Sequence, residues 1–428
     1  MSSRKRHGGQ ATAPSTALVL AGGGAFAAYE AGVLLYLLDE LPRETGLRPH
    51  FDVFAGTSAG AINVSALAAN ADDLGGAARR LADFWRRLTL PEVVRFGLRE
   101  VRALGRLFLG PIRALVPHPR PPRPRRGPHD PVAGLFDTSP LREHLEALVP
   151  WGRLQEHLAS GLVRAVALCA TEVCTGTSAI FYETAAGVEY KEGRDPNKEV
   201  HRVRIGVDHV MASSAIPFLF PSVLIDGICY TDGALRQNTP LNPALRLGAE
   251  RVLVVSLTQP PGAAKRTARL GCRRNAYPGA LFLLGRTVPI LMTQSLDYEL
   301  QRIERYNRLI AGGCAEYGDR FLSTFNNILT PSRNANYRRV HTCHIRPSRS
   351  LTDVARQVVR QAPRELRLPG LAGGLVGRVL ASAALADSDL SGYLMFAPAF
   401  TGALVDLGLR DARAQRQELI ALFSARPV

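Results

Sequence analysis

A serine in a tight, glycine-flanked setting is the most reactive feature of the sequence. Gly56 and Gly60 flank Ser58 in a G-x-S-x-G pattern that lies between an apolar run and an alanine-rich run. Between a strand and a helix, this pattern forms a nucleophile elbow, a sharp turn that lifts the serine hydroxyl above the sheet. The helix that follows would bring its N-terminal N–H groups close to Ser58, where they favour a developing negative charge. We therefore predict that Ser58 is a catalytic nucleophile.

Three consecutive glycines, Gly22, Gly23 and Gly24, form a second motif, again after an apolar run and before a helical pattern. Such a run exposes backbone N–H groups in conformations that other residues avoid, and it can bind an oxyanion or a phosphate. It also fits the G-x-G-x-x-G/A dinucleotide fingerprint, which requires an acidic residue at the end of the second strand. This chain has Gly-Thr-Ser there. We therefore predict an oxyanion hole for Ser58, with a purely structural turn as the alternative.

The third motif is Asp232-Gly233, followed by alanine. Alone it would be read as a turn, since Asp-Gly is common in hairpins. It matters because Ser58 needs a base and no histidine occupies a compelling position. A Ser-Asp-His triad with His341 or His344 is the alternative, because the chain order permits it. Against that alternative, the elbow follows the second strand, which is unusually early for an α/β-hydrolase.

Short apolar runs alternate with helical patterns along the first two thirds of the chain, which predicts an α/β fold with a parallel or mixed sheet. The predicted strands are Ala17–Ala21, Phe51–Ala55, Leu162–Leu168 and Val252–Leu257, and the predicted helices include residues 26–40 and 59–69. Beyond about residue 260 we expect mainly helices, at 296–310 and 390–407, with one strand at 340–345.

The pattern divides the chain into a flexible tail at residues 1–15, a catalytic domain at 16–258 and a mainly helical C-terminal region at 259–428 packed on the core. A basic Pro/Arg-rich insertion at 95–130 interrupts the catalytic domain. Nine arginines lie between Arg95 and Arg126, against a single acid, Glu100. This segment is either a solvated linker or a surface for anionic lipid head groups.

The 428 residues are 46% hydrophobic and 21% charged, which is typical of globular proteins and excludes collagen-like, low-complexity or wholly disordered chains. The formal net charge is +16, with 53 basic and 37 acidic residues. A basic excess suggests anionic partners. Only four of the basic residues are lysines and the rest are arginines, so the alternative is that the excess reflects a compositional bias of the genome. Because the chain has no aromatic-interleaved basic stripe, we expect no specific nucleic-acid partner.

Targeting signals are weak. The N-terminal apolar stretch, Ala17–Ala21, is shorter than a signal peptide requires, and the uncharged run at 53–71 is too polar for a transmembrane helix. The six cysteines have no C-x-x-C metal spacing, which favours free thiols in a reducing compartment. We therefore expect a cytoplasmic protein without a signal peptide, a transmembrane helix, a metal or a cofactor. Peripheral contact with an anionic membrane surface is expected only if the basic insertion at 95–130 binds lipid head groups.

In this order, the glycine loop, G-x-S-x-G and D-G-A motifs resemble the patatin-like phospholipase family. The resemblance covers roughly residues 16–258 and extends to Tyr29–Leu34, to 134–141 and to 212–221. The chain departs from the family in two places. Phe26 stands where a basic residue is frequent, and Ala27 stands where a further glycine is frequent.

The resemblance implies a three-layer α/β fold, with a central, mostly parallel sheet flanked by helices and a helical C-terminal extension. It implies a serine lipid acyl hydrolase with a Ser–Asp dyad, in which Ser58 is the nucleophile and Asp232 the base. The N–H groups of the three loop glycines would bind the oxyanion, and Gly56, Gly60 and Gly233 would support the motifs. The basic insertion and Phe26 motivate another alternative, a weak or inactive lipid-binding protein on a hydrolase scaffold.

Overall fold

The computed structural model describes residues 15–95, 134, 136–259, 290, 296–318, 320–361 and 392–424. Residues 1–14 of the predicted tail and residues 96–130 of the basic insertion lie outside these ranges, so the predictions made for them are not addressed by the structure. Ser15, the last residue of the predicted tail, is buried, and its carbonyl accepts the N–H groups of Glu250 and Arg251.

A single mixed sheet of nine strands organises the described chain. The strands are β1 (Thr16–Leu20), β2 (Val53–Thr57), β3 (Ala165–Glu172), β4 (Ser178–Thr184), β5 (Lys198–Arg202), β6 (Val223–Ile225), β7 (Ile228–Asp232), β8 (Arg251–Val255) and β9 (His341–Ile345). They run in the order β5-β4-β3-β2-β1-β8-β9, while β7 pairs with both β3 and β6. The sheet is mostly parallel, and β4 and β7 run antiparallel to β3.

The register of the central strands brings two motifs to the same edge. Leu20 of β1 is paired with Gly56 of β2 on one side and with Val255 of β8 on the other. Because these strands are parallel, the glycine loop after β1 and the serine turn after β2 emerge side by side. All residues of β1, β2 and β8 are buried, as expected for parallel strands covered on both faces.

The two faces of the sheet separate into two apolar cores. Alternate residues of β1 point to opposite faces, so that Leu18 and Leu20 belong to one core and Ala17 and Val19 to the other. The larger core is covered by α1 (Ala28–Leu35), α2 (Leu41–Thr45), α3 (Ala59–Ala68), α4 (Leu74–Arg87), α5 (Leu90–Val93), α6 (Ser139–Leu148), α7 (Trp151–Ser160) and α8 (Val207–Ser213). A π-helical turn, Tyr36–Glu40, joins α1 to α2.

The smaller core is covered by α10 (Leu241–Arg246), which follows the short helix α9 (Ala234–Gln237), and by the start of α11 (Leu296–Tyr317). Helices therefore lie on both faces of the sheet, and the predicted three-layer α/β fold is confirmed.

The C-terminal region adds α12 (Arg320–Arg333), α13 (Leu351–Gln361), α14 (Pro398–Ala414) and α15 (Arg416–Ser424), as well as strand β9. The strand pattern at 340–345 corresponds to β9, which pairs in parallel with β8. Helix α14 packs closely on α1. A side chain at Gly32 would meet the carbonyl of Val405, and one at Gly408 would meet the carbonyl of Tyr29. This region therefore shares the sheet's core. The boundary at residue 258 stays a prediction.

Among the helices of the described ranges, none has both the length and the apolar character needed to cross a membrane.

Candidate active site

Ser58 occupies the turn between β2 and α3. Its backbone lies at φ 54° and ψ −127°, a conformation that non-glycine residues rarely adopt. Two contacts hold the turn. The Ser58 N–H donates to Ser213 Oγ at 2.9 Å, and Thr57 Oγ1 donates to the carbonyl of Gln237 at 2.8 Å. The turn places the Ser58 hydroxyl within hydrogen-bond distance of the end of β7.

The partner of that hydroxyl is Asp232, the last residue of β7. Ser58 Oγ donates to Asp232 Oδ2 at 2.7 Å, and the backbone N–H of Ala234 donates to Asp232 Oδ1 at 2.8 Å. The antiparallel pairing of β7 with β3 sets Asp232 opposite Ala170, next to the end of β2. The carboxylate is completely buried and Ser58 is 2% exposed.

Burial changes the acidity of this carboxyl group. Removal from water raises the pKa of Asp232 to about 7, and the hydrogen bonds from Ala234 and Ser58 counteract only part of that shift. A carboxylate with a pKa near 7 accepts a proton more readily than a solvent-exposed one, and it is still largely ionised just above neutrality. This is the property that a general base needs.

Ser213 joins the two motifs, although no sequence motif assigned it a role. Its Oγ accepts the Ser58 N–H and donates to the carbonyl of Cys169 at 2.6 Å. Its own carbonyl accepts the N–H of Gly233 at 3.2 Å. One small buried residue on α8 thus positions both the serine turn and the D-G motif. The only signal for it was its position within the stretch at 212–221 that resembles the family.

The three loop glycines are not equivalent. The Gly22 N–H donates to the carbonyl of Asn238 at 3.0 Å, whereas the N–H groups of Gly23 and Gly24 have no acceptor within the described part of the chain. A side chain at Gly22 would lie 2.9 Å from Ser58 Cβ, so the loop passes directly beside the serine. Gly24 has φ +54°, which suits glycine. The sequence predicted the same role for all three.

A buried carboxyl group supports the glycine loop from beneath. Glu30 on α1 accepts the N–H of Ala21 at 2.8 Å and a hydrogen from Asn63 Nδ2 at 2.9 Å. Asn63 Oδ1 in turn accepts from Trp85 Nε1 at 2.8 Å. Burial raises the pKa of Glu30 well above its usual range. Glu30 was assigned no role from the sequence, and the signal that could have identified it is a charged residue within an apolar helical pattern.

The two departures from the family pattern have structural explanations. Ala27 has φ −66°, so its position does not require glycine. Phe26 is 5% exposed, and its ring contacts the rings of Tyr393 and Phe400 edge-on, at centroid distances of 5.1 and 6.0 Å. Where the family frequently has a basic side chain, this loop therefore has an aromatic ring that packs against the C-terminal region.

The remaining motif glycines lie where two backbone segments meet. A side chain at Gly60 would come within 2.6 Å of the carbonyl oxygen of Leu20, and one at Gly56 within 2.5 Å of that of Gly60. At Gly233 it would come within 2.0 Å of the carbonyl oxygen of Cys169. These contacts allow the three motifs to approach one another.

The histidines of the alternative triad have other neighbours. His344 Nδ1 accepts a hydrogen bond from Arg346 at 2.7 Å, so Nε2 carries the proton and donates to Ser256 Oγ at 2.8 Å. Burial and the Arg346 charge lower the pKa of His344 to about 4. His341 begins β9 and is exposed. The hydroxyl of Ser58 is bonded to Asp232 instead.

Comparison with models of known protein families gives one match. A family model described as "Patatin-like phospholipase" matches residues 18–245. A search of curated proteins gives no match.

Two solved structures show weak overall similarity. VipD from Legionella pneumophila has 14% identity and a TM-score of 0.34, over 92% of this chain and 67% of that one. Human GIVD cytosolic phospholipase A2 in complex with methyl gamma-linolenyl fluorophosphonate has 15% identity and a TM-score of 0.34, over 96% of this chain and 59% of that one.

Proposed function

Because the chain belongs to the patatin-like phospholipase family, we propose that it is a serine lipid acyl hydrolase with Ser58 and Asp232 as its catalytic dyad. The observation that carries the proposal is the 2.7 Å hydrogen bond from Ser58 Oγ to a fully buried carboxylate. This distance is within the reach that direct proton transfer requires. The substrate class is a carboxylic ester of a lipid.

In the first step, Ser58 Oγ attacks the ester carbonyl carbon while its proton passes to Asp232 Oδ2. The carbonyl π electrons move to the oxygen, which becomes an oxyanion. The N–H groups of Gly23 and Gly24 would donate to that oxyanion, and the N-terminus of α3 adds a favourable dipole. Gly22, whose N–H is engaged by Asn238, would hold the loop in place.

In the second step, the tetrahedral intermediate collapses. The bond to the leaving alcohol or lysolipid breaks, the leaving oxygen takes the proton from Asp232, and an ester of Ser58 remains. Water then attacks this acyl-enzyme and gives its proton to Asp232. When the second intermediate breaks down, the proton returns to Ser58 Oγ and the fatty acid is released. The cycle balances with water as its only co-reactant.

The most direct activity test is hydrolysis of a short-chain nitrophenyl ester by matched serine variants. Ser58→Ala should lower kcat by about 10³-fold or more, since the nucleophile is lost. The matched control is Ser256→Ala, which removes another buried hydroxyl, one that is bonded to a histidine. We expect the control to retain activity. Full activity in Ser58→Ala would overturn the proposal.

A second pair of variants separates the dyad from the triad. Asp232→Asn should lose most activity, because a neutral amide cannot accept the proton. His344→Asn should hydrolyse the ester at a rate similar to the unmodified chain. The opposite ranking would favour a histidine base over Asp232.

A further inference from the structure

A cavity lies between the edge of the sheet and the long C-terminal helices. It has a volume of about 320 Å³ and is lined by residues of β4, β5, α10 and α11, together with the loop that precedes β5. A second cavity of about 610 Å³ shares Gly193 and Arg194 with it and extends toward α12. Neither Ser58 nor Asp232 lines these cavities, so they are separate from the candidate active site.

The lining of the 320 Å³ cavity is strongly basic. It contains four cations, which are Arg194, Lys198, Arg246 and Arg302, and one carboxylate, Asp195. Glu299 lies nearby on α11, where burial raises its pKa against the lowering effect of Lys198 and Arg302. Even with both acids counted as ionised, positive charge is in excess. Like charges around one small space repel each other, and a bound anion relieves that repulsion.

The cations come from separate elements, and these elements are fixed. Arg246 on α10 donates to the carbonyls of Lys191 and Glu192, at 3.0 and 3.3 Å. Lys198 begins β5 and lies 3.7 Å from Asp195. The cavity is therefore bounded on this side by the sheet and the loop that precedes β5.

Helix α11, which carries Arg302, is attached to the sheet at two points. Asp297 accepts from Arg346 at 2.6 Å, and Asn307 exchanges two hydrogen bonds with the backbone of Val340, at 2.7 and 2.9 Å. These contacts hold Arg302 opposite the sheet edge. The convergence of cations is thus a property of the folded chain.

Three tyrosines complete the walls, namely Tyr190, Tyr306 and Tyr337. The rings of Tyr306 and Tyr337 are in contact, with centroids 4.8 Å apart. Aromatic walls beside cations suit a ligand that joins a charged phosphate to a less polar glycerol or sugar part. The volume is at the lower end of the range of about 300–1,000 Å³ that is typical of small-molecule sites.

We propose that this cavity binds the phosphate group of a small phosphate ester, with Lys198 and Arg302 as its principal cationic contacts. Guanidinium groups bind phosphate oxygens through two parallel hydrogen bonds, and an ammonium adds a compact charge. The phosphate is either the head group of a lipid or part of a soluble metabolite. The proposal does not depend on the hydrolase activity.

The test is calorimetric binding of inorganic pyrophosphate to the full chain. The double variant Lys198→Gln/Arg302→Gln should bind about tenfold or more weakly, because two charge-assisted contacts are lost. The matched control is Arg308→Gln, which removes the same charge from the same helix at a side chain that is 77% exposed. The control should bind like the unmodified chain. If the double variant unfolds, Arg302→Gln alone serves in its place, with an intermediate loss expected.

Vesicles identify the source of the phosphate. Phosphatidylcholine vesicles with and without phosphatidic acid are sedimented with each variant. A loss of phosphatidic acid binding in the double variant assigns a lipid head group, and a loss confined to pyrophosphate assigns a soluble phosphate. The proposal would be overturned if the double variant bound both probes as tightly as the unmodified chain does. It would also be overturned if the unmodified chain bound neither pyrophosphate nor phosphatidic acid.

Ser58→Ala keeps this test independent of the proposed function. Since the dyad does not line the cavity, that variant should bind pyrophosphate like the unmodified chain. Conversely, the double variant should still hydrolyse a soluble nitrophenyl ester.

Discussion

At the scale of single residues, the burial of Asp232 disfavours the ionised form of its carboxyl group. The fold removes its carboxylate from water and supplies two hydrogen bonds, from Ser58 and from Ala234. These do not restore its ordinary acidity, so its pKa lies near 7. The ionised carboxylate of Asp232 is therefore less stable than a carboxylate at the surface. Because its ionised form is less stable, it is also a stronger base. Both consequences can be measured.

The first consequence is the pH dependence of hydrolysis. Only ionised Asp232 accepts the Ser58 proton, so kcat/KM should rise with pH through an apparent pKa of about 7 and then level off. The measurement is kcat/KM for a neutral soluble ester from about pH 5 to pH 9. A rate that is constant across this range would exclude Asp232 as the base.

The second consequence is the pH dependence of stability. The pKa of Asp232 is about 7 in the folded chain and 3.8 as its ordinary value, so the folded state binds the extra proton between these values. The free energy of unfolding therefore contains a contribution that falls as pH rises from 3.8 to about 7 and is fully lost above that.

Asp232→Asn removes this contribution. Relative to the unmodified chain, the variant should gain on the order of 3–4 kcal/mol in unfolding free energy between about pH 4 and pH 8. Denaturant titrations of both proteins at the two pH values measure the difference. If the free energy of unfolding changed with pH to the same extent in both proteins, burial would not be raising the pKa of Asp232.

Some of these residues could be read from the sequence, and others could not. The turn at Ser58 was predicted because a G-x-S-x-G pattern between a strand and a helix is typical of a nucleophile elbow. The pairing of Asp232 with it came from the family resemblance, since a lone Asp-Gly usually forms a turn. Ser213 and the distinct partner of Gly22 depend on how segments far apart in sequence meet, which local patterns do not contain.

At the scale of elements, the glycine loop is held from two sides. Glu30 and Asn63 support the end of β1 from the core, and Phe26 packs against Tyr393 and Phe400 from the C-terminal region. The strands and the first helices were predicted because their apolar patterns are local. The close packing of α14 on α1 was not predicted in detail, since its signal is only a glycine on each helix.

A substitution at Phe26 tests this connection. Phe26→Ala leaves a cavity between the glycine loop and α14, so it should lower the free energy of unfolding by about 3–5 kcal/mol and reduce hydrolysis. Phe218→Ala is the matched control, because Phe218 is 73% exposed, and it should change stability by about 0.5 kcal/mol or less. Thermal or denaturant unfolding of both variants measures the effect. Equal losses in the two variants would contradict the packing role of Phe26.

At the scale of the whole molecule, the +16 charge is spread unevenly. One group of basic residues is the insertion at 95–130. Of this insertion, only Arg95 belongs to the part of the chain that the structure describes. Another surrounds the cavity between the sheet edge and α11. A hydrolase of insoluble lipids must bind the surface that contains its substrate, and a basic segment is suited to an anionic surface.

We therefore expect the insertion to act in membrane binding and not in chemistry. Replacing its arginines with glutamines should weaken binding to anionic vesicles, and the difference should shrink at high salt because screening reduces the attraction. Hydrolysis of a soluble ester should be little changed. Vesicle sedimentation and an esterase assay on the same variants measure both. Unchanged vesicle binding at low salt would contradict this role, and binding without any turnover would favour the inactive lipid-binding alternative.

Covalent labelling shows whether Ser58 is an activated nucleophile. A fluorophosphonate probe reacts with a serine whose proton is removed by a nearby base, and the label can be located by peptide mass spectrometry. We predict one labelled site, at Ser58, with no label in Ser58→Ala and strongly reduced label in Asp232→Asn. Undiminished labelling of Ser58→Ala, or an unmodified chain that takes up no label, would contradict the assignment of Ser58 as the nucleophile.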